Sequence, residues 1–221
     1  MATESQTASF TQSRFWDILQ RIISNSTALI GLLIITAAIF GTIVGPSLTP
    51  HDPTESDPVD KSLGPSFLDD ENNQYLLGTD SLGRDLLTRT LAGGQTSLMM
   101  GLVSVSLALL IGVPIGLVTG YFGGKIDEIL MRGMDALISF PSLLLALLIL
   151  AMLSSNLWNA VIAVAIAYFP RIARVVRSST ISVKNEEYIS AAEARNESSL
   201  SIMFTEVLPN ILSPIVVEGT V

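Results

Sequence analysis

"EYISAAEARNESSLSIMFTEVLPNILSP", from Glu187 to Pro214, is a wet segment set in an oily chain. It carries Glu193, Arg195, Asn196, Glu197 and several serines. The whole chain nevertheless has a mean hydropathy of +0.54, and of its 221 residues 49% are hydrophobic and only 14% charged. Tyr188, Ala191, Ala192 and Arg195 fall on one helical face. Leu200, Met203, Phe204, Val207, Leu208 and Ile211 form a second stripe at spacings of three and four. Asn196 stands between them, and asparagine accepts the left-handed conformation that ends a helix. Ser198 or Ser199 can then cap the next helix. The stretch therefore predicts helix, sharp turn, helix, with Tyr188 and the small alanines outward. Its second arm runs through Pro209 into an apolar segment. Such a hairpin is either a plain surface feature or a docking knob for a soluble partner, and an idle loop has no need of this order or length.

Outward from the hairpin, the apolar residues are bunched into charge-free blocks. A membrane span needs about 20 such residues to cross about 30 Å of hydrocarbon. Thr27–Gly45 is one block and Ser97–Gly120 a second. Nothing between Asp135 and Arg171 is charged, which is too long for one helix, and the polar step at Ser154–Asn156 divides it into a third and a fourth. A fifth begins near Leu208 and is still apolar at Val221, so the chain is expected to stop inside a span of a longer protein. The expected layout is a tail over 1–26, a first span over 27–46, an outer loop over 47–95 and a core over 96–221. The core holds spans two to four, a polar loop over about 171–207 and the start of span five. The fold class is all-α and polytopic, in a lipid membrane. The first block lies behind a polar tail and is longer than a signal-peptide core, which marks it as an uncleaved span.

Charge gives the orientation. Arg14 and Arg21 precede the first span, Lys125 and Arg132 follow the second, and Arg171, Arg174, Arg177 and Lys184 follow the fourth. The loop after the first span instead holds nine acids between Asp52 and Asp85. The alternation predicts a cytosolic N-terminus, an external loop at 46–95 and a cytosolic segment at 171–206. The net charge of −8 with only 12 Lys and Arg fits either that single acidic loop or a high-salt habitat. The absence of cysteine excludes disulfides, thiolate metal sites and cysteine nucleophiles, and His51 alone excludes a histidine metal cluster. Nothing in this balance suggests nucleic acid.

Ser104, Ala108, Gly112, Gly116 and Gly120 repeat every four residues in the second block. This places a groove on one helix face where another backbone can approach, from this chain or from a second subunit. Pro114 and Pro141 are expected to bend their spans. Ahead of that block, "LLGTDSLGRDLLTRTLAGGQTSL" has a turn at Gly78, caps at Thr79 or Asp80 and a break at Gly83. A short helix should follow, with Asp85 and Arg89 paired at i,i+4 and Leu87 and Leu91 on one side. It is read as an interfacial helix, or alternatively as a ligand-binding one. Glu218 lies about ten residues into the fifth block, where an ionised acid costs roughly 2.5–3.5 kcal/mol. It either faces a translocation path or a polar partner on a second subunit, or stays hydrated near the cytosolic boundary.

Two separate motifs now resemble one family. The hairpin is similar to the "EAA…G…LP" cytosolic loop of ABC-transporter permeases that work with a solute-binding protein. The outer "GTDSLGRD" (Gly78, Thr79, Asp80, Gly83, Arg84, Asp85) and "GYFGGKIDEILMRGMDALISFPSLLLAL" resemble the C-type, second-permease subunit of the dipeptide/oligopeptide/nickel branch. Ala191 and Ala192 match the two alanines, Leu208 and Pro209 the closing pair, and Asn196 the glycine; the leading glutamate is Ser190 here. The resemblance implies a type I (MetI-like) helical bundle of six spans in the full protein, in a prokaryotic plasma membrane. It also implies a partner permease, two cytosolic ATP-binding subunits, one of which would take Tyr188, Ala191, Ala192, Asn196, Ser198, Leu208 and Pro209 in its cleft, and an external solute-binding protein. ATP and Mg would lie on the partners, since no G-x-x-x-x-G-K-[ST] pattern occurs here. Two rival readings are an ion-coupled secondary transporter, which would need intramembrane charges, and a non-transporting scaffold.

Overall fold

The computed structural model describes residues 24–57, 59–66 and 74–220. The expected tail, with Arg14 and Arg21, lies outside the described residues except for its last three positions, as do Asp69, Asp70 and Glu71 of the outer loop and Val221. The described residues form two compact units that divide between Ser97 and Leu98.

In the first unit, α1 spans Ser26–Leu48. Asn25 caps it, its side chain accepting from the Thr27 and Ala28 amides at 3.1 and 3.3 Å. Ile30, Leu33, Ile34, Ile35, Phe40 and Ile43 are all exposed around its circumference. Lipid tolerates that arrangement and water does not. The next helix, α2, runs unbroken over Leu86–Phe122, through Pro114. The separate interfacial helix expected before the second span is therefore absent: its residues are the first turns of α2. Leu91 meets α1, since a Cβ built on Gly45 would lie 2.7 Å from its Cδ1.

The loop between them is built on the outer motif. Thr79 bridges Asp85, and the Thr79 hydroxyl takes the Leu63 amide at 2.9 Å and donates to the Asp60 carbonyl. Asp85, rather than Thr79 or Asp80, caps α2, accepting from the Leu87 amide at 3.0 Å and the Thr88 hydroxyl at 2.6 Å. Asp85 also meets His51 at 3.2 Å. Its predicted i,i+4 pair with Arg89 does not form; Arg89 donates to the Pro53 carbonyl at 3.1 Å and lies 3.8 Å from Asp80. Gly83 has φ 78, and a Cβ there would collide with the Asp57 carbonyl. The Arg84 guanidinium on Asp80, with N···O distances of 2.7 and 2.8 Å, holds that carboxyl down at about 2.

The second unit contains the rest of α2, then α3 (Gly124–Ile138), α4 (Ser142–Leu153) and α5 (Leu157–Lys184). The hairpin follows, with α6 (Glu187–Ala194), α7 (Ser199–Asn210) and α8 (Leu212–Gly219). By length and apolarity α1, α2 and α5 can each cross a bilayer, whereas α3–α4 and α7–α8 are pairs bent by 89° and 63°. The third span is thus not a straight helix. Its uncharged part, α4, has 12 residues, about 18 Å at 1.5 Å per residue, well short of the hydrocarbon. Pro141 stands between α3 and α4 rather than inside a span, because it offers no amide and drives the residue before it out of the helical region. The fifth span is broken likewise: Pro214 cannot donate to the Asn210 carbonyl, and the chain turns at Ile211.

The small-residue stripe finds its neighbour within this chain. A Cβ on Gly112, Gly116 or Gly120 would lie 2.8, 2.6 and 2.8 Å from the carbonyl oxygens of Phe169, Ala173 and Arg177 on α5. The Ser104 hydroxyl donates to the Val161 carbonyl at 3.2 Å, and Ala108 and Ala165 are both buried. Every pair keeps the same offset in number, 57, so α2 and α5 run parallel and α3–α4 brings the chain back once between them. On its other side α5 is tied to α3 by Arg174–Asp135 at 2.5 Å and by a two-pronged Arg177–Asp127 pair at 2.5 and 2.6 Å. Arg171 to Lys184, expected in the cytosolic loop, are thus the last turns of the fourth helix.

Candidate coupling site

The hairpin turns where the sequence predicts. Asn196 has φ 57. Its amide donates to the Glu193 carbonyl at 2.9 Å, and the Glu197 amide reaches back to the Ala192 carbonyl at 3.3 Å. This reciprocal pair closes the end of α6 on a left-handed residue. Ser198 then caps α7, accepting from the Ser201 amide at 3.2 Å.

Residues 202–207 of α7 are wound as a π-helix, with the Leu208 amide bonded to the Met203 carbonyl. Pro209 follows directly and has no amide to give, so the looser winding and the missing donor sit together. The effect on side chains is that Ile202, Met203, Val207 and Ile211 are all buried.

Burial divides the predicted coupling residues. Ala192 is 0% exposed and packs with Ile189, Met203 and Val207 in the core of this chain. It was expected on the docking surface; it faces inward because α6 rolls its Ile189–Ala192 edge onto α7. Ala191 is exposed, Leu208 is partly buried and Pro209 is exposed. The apolar groups that do face outward are Tyr188, 38% exposed, Phe204, 57%, and Leu200, 63%. The second stripe read from spacing is therefore two stripes, with Met203, Val207 and Ile211 inward and Leu200 and Phe204 outward. Burial also raises the Tyr188 phenol above its ordinary value.

Residues that sequence reasoning missed anchor the hairpin to the helices above it. The Tyr121 hydroxyl donates to Glu193 Oε1 at 3.3 Å, and Lys184 Nζ donates to the Tyr121 carbonyl at 2.5 Å. No local pattern could have paired residues separated by 72 positions.

Glu218 on α8 is partly buried and pairs with Arg171 on α5 at 2.5 Å. Its polar partner thus belongs to this chain. The pair borders a cavity of about 210 Å³ also lined by Gly101, Ser104, Ala108 and Tyr168. Among the described residues no group of three or more His, Cys, Asp or Glu is placed to hold a metal ion.

Residues 112–220 match the family described as binding-protein-dependent transport system inner membrane component. Residues 13–65 match the N-terminal TM domain of oligopeptide transport permease C. The chain is 40% identical over 204 residues to a dipeptide transport system permease protein of Alkalihalophilus pseudofirmus, covering 92% of this chain and 65% of that one. It is 35% identical over 206 residues to the dipeptide transport system permease protein of Haemophilus influenzae, covering 93% and 69%. An oligopeptide transport system permease protein of Bacillus subtilis is 34% identical over 204 residues, with 92% and 65% covered. The chain thus spans about two thirds of the length of these relatives.

Proposed function

Because the chain belongs to the inner-membrane components of binding-protein-dependent transport systems, in the C-type permease branch of the dipeptide and oligopeptide group, we propose that it serves as one transmembrane subunit of an ATP-driven importer. Its cargo is a di- or oligopeptide, or a related small solute such as nickel. It pairs with a second, related permease, receives solute from an extracytoplasmic binding protein, and rests on two cytosolic subunits that bind and hydrolyse ATP with Mg. It performs no covalent chemistry itself. The orientation is N-terminus inside, in a prokaryotic plasma membrane, as the Arg and Lys distribution reads. Labelling in intact cells tests it in this cysteine-free chain: an impermeant thiol reagent should modify Asp57→Cys and spare Lys184→Cys.

The observation that carries the coupling role is the outward apolar set of the hairpin. Tyr188, Leu200 and Phe204 sit on a segment whose flanking polar residues keep it in water, while its inner face is already filled by Ile189, Ala192 and Met203. Exposed aromatic and aliphatic groups on an ordered, two-helix knob suit the cleft of a soluble subunit, and their burial there supplies the contact. Ser198 and Asn196 hold the turn, and Leu208 and Pro209 begin the passage into the membrane. Motion of the ATP-binding pair would then reach α5 and α8 directly, since both adjoin the hairpin in the chain. Glu218 is placed in this reading beside the translocation path, through the cavity it borders with Arg171.

Co-purification tests the docking. Phe204→Asp should leave the membrane subunit folded and release the ATP-binding subunit seated on this hairpin, because it alters an exposed side chain only. Full retention of that subunit would refute the assignment of this face.

A further inference from the structure

We propose that Tyr121 is a positioning residue for transport, joining the docking hairpin to the paired helices α2 and α5 so that the three move together. The inference rests on the reading that the hairpin seats an ATP-binding subunit. Tyr121 is the penultimate residue of α2, one position past Gly120 at the end of the glycine seam. It is 6% exposed, and its ring belongs to the same core as Ile189 and Ala192 of α6.

Three elements meet on it. Its phenol donates to Glu193 Oε1 of α6 at 3.3 Å, and its ring lies in the same core as Ile202 and Met203 of α7. Its carbonyl, left without a helical partner at the end of α2, takes the Lys184 ammonium from the end of α5 at 2.5 Å. That ammonium also lies 5.2 Å from the centroid of the Tyr121 ring. Both arms of the hairpin and both helices of the seam are thus fastened to one side chain and one carbonyl.

This placement also bears on the departure at Ser190, where the matching loop pattern has its glutamate. Glu193 lies one helical turn further on, on the same face, and so returns a carboxylate to that side of α6. The Glu193 carboxylate of this chain, though on an exposed residue, accepts from Tyr121. The apolar docking groups remain free on the other side.

The test uses the assembled transporter in liposomes, with its binding protein loaded with radiolabelled dialanine. Tyr121→Phe keeps the buried ring and removes only the hydroxyl. It should leave assembly and basal ATP hydrolysis unchanged and lower both the stimulation by loaded binding protein and the dialanine taken up per ATP by about fivefold, the scale of one ordinary lost hydrogen bond. Glu193→Gln keeps an acceptor and should behave as wild type. Glu193→Leu should match Tyr121→Phe, and combining the two should add nothing further. Wild-type stimulation and uptake in an assembled Tyr121→Phe complex would overturn the proposal and leave the docking reading standing. So would an equal fall in basal and stimulated hydrolysis, or loss of the ATP-binding subunits, either of which makes Tyr121 a structural residue only. Failure of the docking reading shows separately, as retention of the hairpin's ATP-binding subunit by Phe204→Asp.

Discussion

Replacing Gly116 by alanine adds one methyl group at the tightest point of the α2–α5 seam. That carbon would lie 2.6 Å from both the Ala173 carbonyl oxygen and Val176 Cβ, and 2.8 Å from Val176 Cγ1. Ordinary contact begins near 3.4 Å, so the helices must part by about 0.8 Å at this level, and an interior packed at crystal density does not yield that without loss. A backbone oxygen cannot rotate away as a side-chain tip can. Neighbouring Gly112 and Gly120 have the same approach, so the parting would also loosen their contacts. Overpacking of this kind costs about 1–3 kcal/mol. The helix propensity of alanine over glycine returns at most about 1 kcal/mol, so net destabilisation of the α2–α5 pair is expected. Gly101 provides the control, because a Cβ built there meets nothing within 4 Å on the same helix. Gly101→Ala should keep or raise the melting temperature of the detergent-solubilised protein, while Gly116→Ala lowers it by several degrees. Equal melting temperatures for the two variants would refute the seam as a tight backbone contact.

Asn196→Gly should leave stability and ATP-binding-subunit retention unchanged, whereas Asn196→Val should cost about 1–2 kcal/mol, since a β-branched residue is strained at φ 57; melting curves of the two proteins decide it. Ala192→Arg forces a guanidinium into a fully buried site, so it should expose residues 187–211 to limited proteolysis rather than merely weaken docking; a protease pattern like wild type would contradict the inward placement. The Asp80 carboxyl, held at about 2 by Arg84 against an ordinary 3.8, contributes stability to the outer loop that is present above pH 4 and lost as pH falls towards 2. Amide exchange over residues 78–86 should accelerate across that window, and Asp80→Asn should abolish the dependence.

Much of this architecture is legible in one dimension because its causes are local. Hydrocarbon demands about 20 consecutive apolar residues of any helix that crosses it, and the blocks that become α1 and α2 meet that demand on composition alone. The turn at Asn196 closes through bonds no longer than five residues, so residue type and spacing suffice to place it. Spacing also reveals that Ser104 to Gly120 line one face. It cannot say what lies against that face, because Phe169, Ala173 and Arg177 are 57 positions away and are chosen by packing. The same limit explains Ala192 and Phe204. Periodicity marks both as lying on apolar faces, but only the fit of α6 on the π-wound α7 turns Ala192 inward and leaves Phe204 exposed. Tyr121 with Lys184 and Glu193, and Arg171 with Glu218, are likewise pairs across the fold. A chain's sequence fixes what each residue prefers within a few turns of itself, and contact between distant turns is decided only when backbones close on one another and exclude every other arrangement.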